Sequence, residues 1–128
     1  MGIFVHILSS RNQIMPFINT KVSVTITPEQ ENALKTQLGK AISAVRGKSE
    51  SWLMLNFEDN CRMYFKGNNS KPLAFVEVKI YGSASANEYS LLTEKITDIL
   101  GKVLGISSDC IYVKYEEVEY WGYNGYNF

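Results

Sequence analysis

The chain has 128 residues, of which 45% are hydrophobic, 12% aromatic and 20% charged, and its 13 basic and 13 acidic side chains give a formal net charge of zero. This length and composition predict one globular domain, and the neutral balance disfavours nucleic acid and membrane surfaces as partners, because both attract basic proteins. One histidine, His6, and two cysteines, Cys61 and Cys110, are too few for a zinc ligand set or a disulfide framework, so we expect no metal.

Cysteine usage favours a reducing compartment. No apolar run reaches the ~18 residues of a membrane-spanning helix. Residues 3–8 are apolar apart from His6, but they lack the basic start and the cleavage site of a secretory signal. We therefore expect a cytoplasmic protein, with export without a signal peptide, to an extracellular role, as the alternative.

An internal repeat with an offset of 58 residues organises the chain. At this offset eight pairs match in character: Phe17 and Phe75, Ile18 and Val76, Val22 and Ile80, Leu34 and Leu92, Leu38 and Ile96, Ile42 and Leu100, Val45 and Val103, and Gly47 and Gly105. The repeat divides the sequence into two units, at about 16–58 and about 72–116.

The first unit begins with an extended apolar stretch, Phe17–Ile26, whose alternation predicts a half-buried strand. The sequence Thr27-Pro28-Glu29-Gln30 is a capping box with proline at the first helical position, so a helix is predicted to start there. An apolar stripe with helical spacing follows, and Gly47 can end the helix in a left-handed conformation. The apolar run Trp52–Phe57 predicts a second strand.

The second unit repeats this order. Leu73–Tyr81 predicts a strand, Ser85–Glu88 is a second capping box, the helix is predicted to end at Gly105, and Ile111–Tyr115 predicts the last strand. Two tandem βαβ units predict an α+β fold in which one four-stranded mixed sheet carries both helices on one face.

The opposite face of that sheet is left uncovered by the two helices. We place Trp52, Met54 and Val78 on it. A soluble monomer rarely exposes so much apolar surface, so oligomerisation is expected to bury it.

Five segments in chain order carry a family resemblance: residues 15–20 (MPFINT), Gly47-Lys48, residues 79–82 (KIYG), residues 107–112 (SSDCIY) and residues 122–124 (GYN). From Met15 to Phe128 the chain resembles the macrophage migration inhibitory factor family, which includes D-dopachrome tautomerase within the tautomerase superfamily. The resemblance implies a homotrimer with sites between subunits. It divides the chain into an extension, residues 1–14, and a single tautomerase-like domain, residues 15–128.

The resemblance implies that Pro16 is the catalytic base, because mature chains of that family start at a proline whose secondary amine moves the proton. An α-amino group titrates near ~8 in water, and burial or a nearby cation lowers that value towards neutrality. Lys48 matches the family's pocket lysine, which would supply such a cation and bind a substrate carboxylate. Its alternative is a solvated lysine that follows a helix.

Further pocket residues are implied in the same way. Tyr112 matches a tyrosine that a neighbouring subunit contributes and that donates a hydrogen bond to the enol or carbonyl oxygen. Ile80 and Tyr81 fall where the family places a backbone that contacts substrate. Four more residues fall around the aromatic pocket wall, with packing or a subunit interface as the equal alternative: Trp52, Trp121, Tyr123 and Phe128.

Three departures from the family bear on function. Leu73–Val76 replaces the CxxC of the member with thiol-disulfide activity, so that activity is excluded here. Lys114 replaces an asparagine of the best-known member, which adds a cation at the pocket rim and favours more acidic keto acids. While residues 1–14 are attached, the Pro16 nitrogen is an amide without a basic lone pair. Either translation begins at Met15, or the chain is a non-catalytic trimer.

The resemblance therefore implies a keto–enol tautomerase of phenylpyruvate or dopachrome type that acts on small aromatic keto acids. No metal or organic cofactor is required, because the transferred proton is already activated by the adjacent carbonyl. One alternative is a cytokine-like protein that binds a cell-surface receptor. Another is an RNA-binding or ligand-sensing module, which the βαββαβ order permits but the neutral charge and the lack of an RNP-like strand disfavour.

Overall fold

The computed structural model describes residues 15–128. The predicted extension, residues 1–14 with His6, lies outside the described residues. The main elements of residues 15–128, in chain order, are β1 (Pro16–Val22), α1 (Pro28–Ala41), β2 (Met54–Glu58), β3 (Ala74–Tyr81), α2 (Ala86–Leu104), β4 (Ile111–Val118) and a C-terminal hairpin of β5 (Gly122–Tyr123) and β6 (Tyr126–Asn127). The order strand, helix, strand thus occurs twice, as the repeat predicts.

The four long strands form one mixed sheet in the order β2-β1-β3-β4. Strands β1 and β2 are parallel, as are β3 and β4, while β1 and β3 are antiparallel neighbours at the centre. Helices α1 and α2 pack on the sheet and share one apolar core with it. The predicted α+β fold is confirmed.

Both capping boxes form as predicted. The Thr27 hydroxyl accepts a hydrogen bond from Gln30 N at 3.2 Å, and the Gln30 side chain accepts one from Thr27 N at 2.9 Å. Ser85 and Glu88 make the same pair of bonds at the start of α2. At its other end α2 stops at Gly105, which is left-handed with φ 70°. Helix α1 is shorter than predicted, because it changes to a 3-10 turn over Ile42–Ala44 before Gly47.

The strand boundaries differ from the prediction where long-range hydrogen bonds intervene. Strand β1 ends at Val22 rather than Ile26, because Ser23 turns to bond both backbone groups of Leu73, at 3.0 and 2.9 Å. Trp52 lies in a 3-10 turn, Glu50–Trp52, so β2 begins only at Met54. Strand β4 runs on to Val118, past the predicted end at Tyr115.

The helix-free face of the sheet is polar at its centre, which corrects two expectations. Val78 is 1% exposed in the core, because the alternation over residues 76–80 (VEVKI) turns its valines towards the helices and its charges away. Asn19 instead joins Glu58 (3.0 Å) and Asn56 (2.8 Å) across the open face. Met54 is exposed there as predicted, but the placement of Val78 is wrong, and the polar centre means that the face is not continuously apolar.

Candidate active site

Pro16 lies at the start of β1, beside a cleft of about 560 Å³. It is buried and in register with Ile80 on β3. The cleft is lined by three segments that are distant in sequence: residues 15–17, residues 51–54 and residues 121–123. The first residue of a central strand, the turn before β2 and the C-terminal hairpin therefore meet at one end of the sheet.

Aromatic rings form one wall of this cleft. Trp52 meets Tyr123 edge to face, with ring centroids 5.2 Å apart. The ring of Tyr81 meets those of Trp121 and Phe128, with centroids 6.4 and 5.7 Å apart. The hairpin that presents these rings is closed by a bond from Phe128 N to Trp121 O. The residues predicted for an aromatic wall thus lie together, with Tyr81 among them, whereas the Ile80 side chain packs in the core.

Met15 occupies space next to the Pro16 nitrogen. It is 3% exposed, it lines the cleft, and its carbonyl oxygen accepts a hydrogen bond from Tyr81 N at 3.1 Å. In the full chain the Pro16 nitrogen is therefore a tertiary amide, which has no basic lone pair. Sequence reasoning assigned no place in the pocket to Met15 or Phe17, although both flank Pro16, and it gave no signal for Ser51.

Lys48 is buried, so its alternative as a solvated lysine is wrong. It is 5% exposed and follows Gly47, whose φ of 80° turns the chain after the helical segment. Within residues 15–128 its Nζ has no hydrogen-bond partner. Lys48 itself is not among the residues that line the cleft, but Ser51, three positions later, is.

Burial lowers the pKa of Lys48 from its ordinary 10.5 to about 8, while the charge of Glu88 acts in the opposite direction. The repeat offset shows how unusual this residue is. Its counterpart in the second unit is Ile106, a core residue that is 1% exposed. An ammonium group thus stands where the fold otherwise places an aliphatic side chain, and a buried charge without a partner is costly unless a ligand pairs with it.

Tyr112 lies at the opposite end of the sheet from Pro16 in the same chain. It pairs with Phe75, five residues from Ile80, the partner of Pro16, so about 16 Å of strand separates them. Tyr112 is 58% exposed, and its ring meets those of Phe65 and Phe75 edge to face, with centroids 5.3 and 6.3 Å apart. One chain therefore does not bring Tyr112 to Pro16.

Lys114 shares the open face with Tyr112, and β3 separates its strand from that of Pro16. It pairs with Glu77, three residues along β3 from Ile80, the partner of Pro16. It forms ion pairs with Glu116 (2.7 Å) and Glu77 (3.9 Å). The hydrogen bond to Glu116 raises the pKa of Lys114, so this lysine is a cation at neutral pH. Both residues can act at a Pro16 site only if that site belongs to another copy of the chain.

The described part of the chain offers no group of three or more His, Cys, Asp or Glu side chains that could hold a metal ion. Cys61 and Cys110 are both free thiols. Among residues 15–128, no helix combines the length and apolarity that crossing a bilayer requires.

The chain is similar to proteins of known family. Residues 15–128 match the family model described as macrophage migration inhibitory factor (MIF). The crystal structure of Leishmania major MIF2 is similar at 32% identity and a TM-score of 0.82, over 89% of this chain and 97% of that one.

Two further solved structures are similar over most of their length. The homologue from Prochlorococcus marinus matches at 29% identity and a TM-score of 0.75, over 88% of this chain and 98% of that one. The MIF-like protein from Entamoeba histolytica matches at 25% identity and a TM-score of 0.79, over 89% and 99%. No curated protein matches the sequence.

Proposed function

Because this chain belongs to the macrophage migration inhibitory factor family, we propose that it is a keto–enol tautomerase of phenylpyruvate or dopachrome type, active when Pro16 is the first residue. The observation that carries the proposal is the position of Pro16, buried at the start of a central strand and beside an aromatic cleft. The family match begins at residue 15, immediately before this proline.

The chemistry needs one base, one cation and one hydrogen-bond donor. The free amine of Pro16 takes a proton from the carbon next to the substrate's keto group. The electron pair of that C–H bond forms the new C=C bond, and the C=O π electrons move onto the keto oxygen. The proton held by Pro16 is returned through solvent to that oxygen, which becomes the enol hydroxyl and leaves the amine neutral again. The apolar surroundings of Pro16 favour the neutral amine, which is the form that accepts a proton.

Lys48 is proposed to bind the substrate carboxylate. At neutral pH a group with a pKa of about 8 is mostly protonated, and the ammonium lacks a partner among the described residues. A carboxylate that reaches it makes a charge-assisted hydrogen bond in a poorly solvated place, where such bonds are strong. An aromatic keto acid would place its ring against Trp52 and Tyr123.

The proposed active form is a homotrimer in which Tyr112 reaches the Pro16 site of a neighbour. The trimer is proposed from membership of the family. The register distance of about 16 Å between the two residues in one chain supports placing Tyr112 at the site of another copy. Tyr112 would donate to the developing enol oxygen, and Lys114, beside it on β4, would add a positive charge at the rim.

The first test compares two chains, one that begins at Pro16 and one that keeps residues 1–14. Intact mass establishes each N-terminus, and phenylpyruvate tautomerisation is assayed on both. Activity that requires a free Pro16 amine supports the proposal, and the longer chain is the matched control in which the same nitrogen is an amide. A folded trimer that begins at Pro16 and lacks activity contradicts it and favours the receptor-binding alternative.

The shared site is tested by mixing two inactive variants of the Pro16-begun chain, Pro16→Gly and Tyr112→Phe. If each site takes its base from one subunit and its tyrosine from the next, random mixing in a trimer restores about a quarter of the full activity. Each variant refolded alone is the control. Mixed trimers with no more activity than the two separate variants would show that Tyr112 does not act across an interface.

A further inference from the structure

Glu88 links the start of α2 to the turn that carries Lys48. One carboxylate oxygen, Oε1, accepts a hydrogen bond from Ser85 N at 2.9 Å and completes the capping box. The other, Oε2, accepts one from Arg46 N at 2.5 Å, two residues before Lys48. The two backbone bonds, that from Arg46 first, lower the pKa of Glu88 to about 2, so this side chain is an anion throughout the neutral range.

The first repeat provides an internal comparison for this arrangement. Gln30 holds the position equivalent to Glu88, forms the same capping box, and also reaches across to the other unit. Its Nε2 donates to Val103 O at 3.3 Å, just before the turn that leads to Ile106. Gln30 and Glu88 thus each form a hydrogen bond to the backbone of the opposite unit, near the end of its helix. Gln30, which bonds the segment before Ile106, is neutral, whereas Glu88, which bonds the turn before Lys48, is charged.

Arg46 and Glu50 are the charged residues within two positions of Lys48 in the chain. Glu88 contributes an attractive field at Lys48, and the guanidinium of Arg46 acts on Glu88. No side chain of residues 15–128 bonds the Lys48 ammonium directly. Glu88 is therefore placed to act on Lys48 through space and through the backbone, while the ammonium itself makes no hydrogen bond among the described residues.

We propose that Glu88 is a positioning residue for Lys48: its carboxylate fixes the turn that carries the lysine and keeps the buried ammonium protonated, ready for an anionic ligand. The identity of that ligand as the substrate carboxylate rests on the proposed function. The coupling between Glu88 and Lys48 does not rest on it, and the two are tested separately.

The test of the coupling uses the full chain with lysines isotope-labelled at Cε, and follows the titration of Lys48 by NMR. Its signal is assigned by its absence in Lys48→Met. Glu88→Gln keeps the size of the side chain but removes the charge and one acceptor, so the Lys48 midpoint is expected to move to lower pH. Gln30→Ala is the matched control, because it opens the equivalent capping box of α1 without touching the Lys48 turn, and it should leave the midpoint unchanged.

Two results would overturn the coupling: an unchanged midpoint in Glu88→Gln, or an equal shift in Gln30→Ala, which would mean that any loosened helix end has the same effect. Its role in binding is then measured on the chain begun at Pro16. Glu88→Gln should raise KM for phenylpyruvate about threefold at about pH 8 and much less at about pH 6, with kcat little changed. A shifted midpoint together with an unchanged KM profile overturns the role in binding. If the Pro16-begun chain is inactive with and without the substitution, the tautomerase proposal fails, whereas a shifted midpoint still supports the coupling.

Discussion

The two halves of the molecule share the order strand, helix, strand, and they differ at the residues proposed to act at the site. Lys48 corresponds to Ile106, and Pro16 corresponds to Ala74, a buried residue inside the sheet. At Lys48 the second half has the side chain that a hydrophobic core favours, and the first half has one that opposes burial. The comparison teaches that the fold accepts an aliphatic side chain at this place and does not require Lys48, which supports the binding role proposed for it.

The largest expected effect comes from transferring the lysine to the second half. Ile106→Lys would place an ammonium group in a fully buried aliphatic site, and we expect it to lower the free energy of unfolding by about 3 kcal/mol or more. Urea unfolding of the full chain measures this. Leu91→Lys, on an exposed part of α2, is the control and should change stability little. Equal stability of the two variants would mean that the Ile106 site tolerates charge.

The reverse exchange should separate stability from activity. Lys48→Ile is expected to raise the free energy of unfolding by about 1 to 3 kcal/mol at neutral pH, because it removes a desolvated cation. In the chain begun at Pro16 it should also reduce kcat/KM for phenylpyruvate about 10- to 100-fold, through loss of a charge-assisted bond. A variant that is less stable and fully active would contradict both the destabilising effect of the buried cation and its role in substrate binding.

A pH series sharpens the same exchange. The folded-state pKa of Lys48, about 8, lies below its ordinary 10.5. Between these values the unfolded chain binds more protons, so the free energy of unfolding should rise with pH across this window. The advantage of Lys48→Ile over the unchanged chain should therefore be largest below about pH 8 and shrink towards about pH 10.5. Because other groups titrate in both chains, the difference between their urea midpoints is the quantity to follow, and a constant difference would exclude a depressed pKa.

The smallest effect concerns the two N-caps, where the halves are alike. Thr27→Ala and Ser85→Ala each remove one hydroxyl acceptor, from Gln30 N and Glu88 N respectively. Each should cost about 1 kcal/mol of stability, measured as a shift in urea midpoint. If one costs several times more than the other, the halves differ in more than their functional side chains.

Most of the fold could be predicted from the sequence because its signals are local. A hydroxyl N-cap followed three residues later by Gln or Glu, and a glycine after an apolar stripe, specify helix ends through bonds within one turn. The repeat then gave the order of elements. The early end of β1 could not be predicted, because it depends on Ser23 and Leu73, which are 50 residues apart.

The candidate site was less predictable than the fold. The resemblance named Pro16, Lys48 and the aromatic residues, but it did not show that Met15 fills the adjacent space or that the Lys48 ammonium has no hydrogen-bond partner within residues 15–128. The buried position of Val78 is predictable from its neighbours, since the charges of Glu77 and Lys79 indicate which face of β3 is exposed to solvent. Glu88 was recognised only as a cap, and the signal that was missed is its difference from Gln30 at the repeat offset.

Ala74 bears on how many catalytic bases one chain can hold. It is the repeat counterpart of Pro16, yet it lies within the chain, where its nitrogen belongs to a peptide bond and its neighbours are Val22 and Ile111. The repeat contains two equivalent first strands, but a chain has only one amino terminus. A base made from a terminal amine can therefore occur once per chain, and an active-site titrant should label each subunit once despite its two nearly equivalent halves.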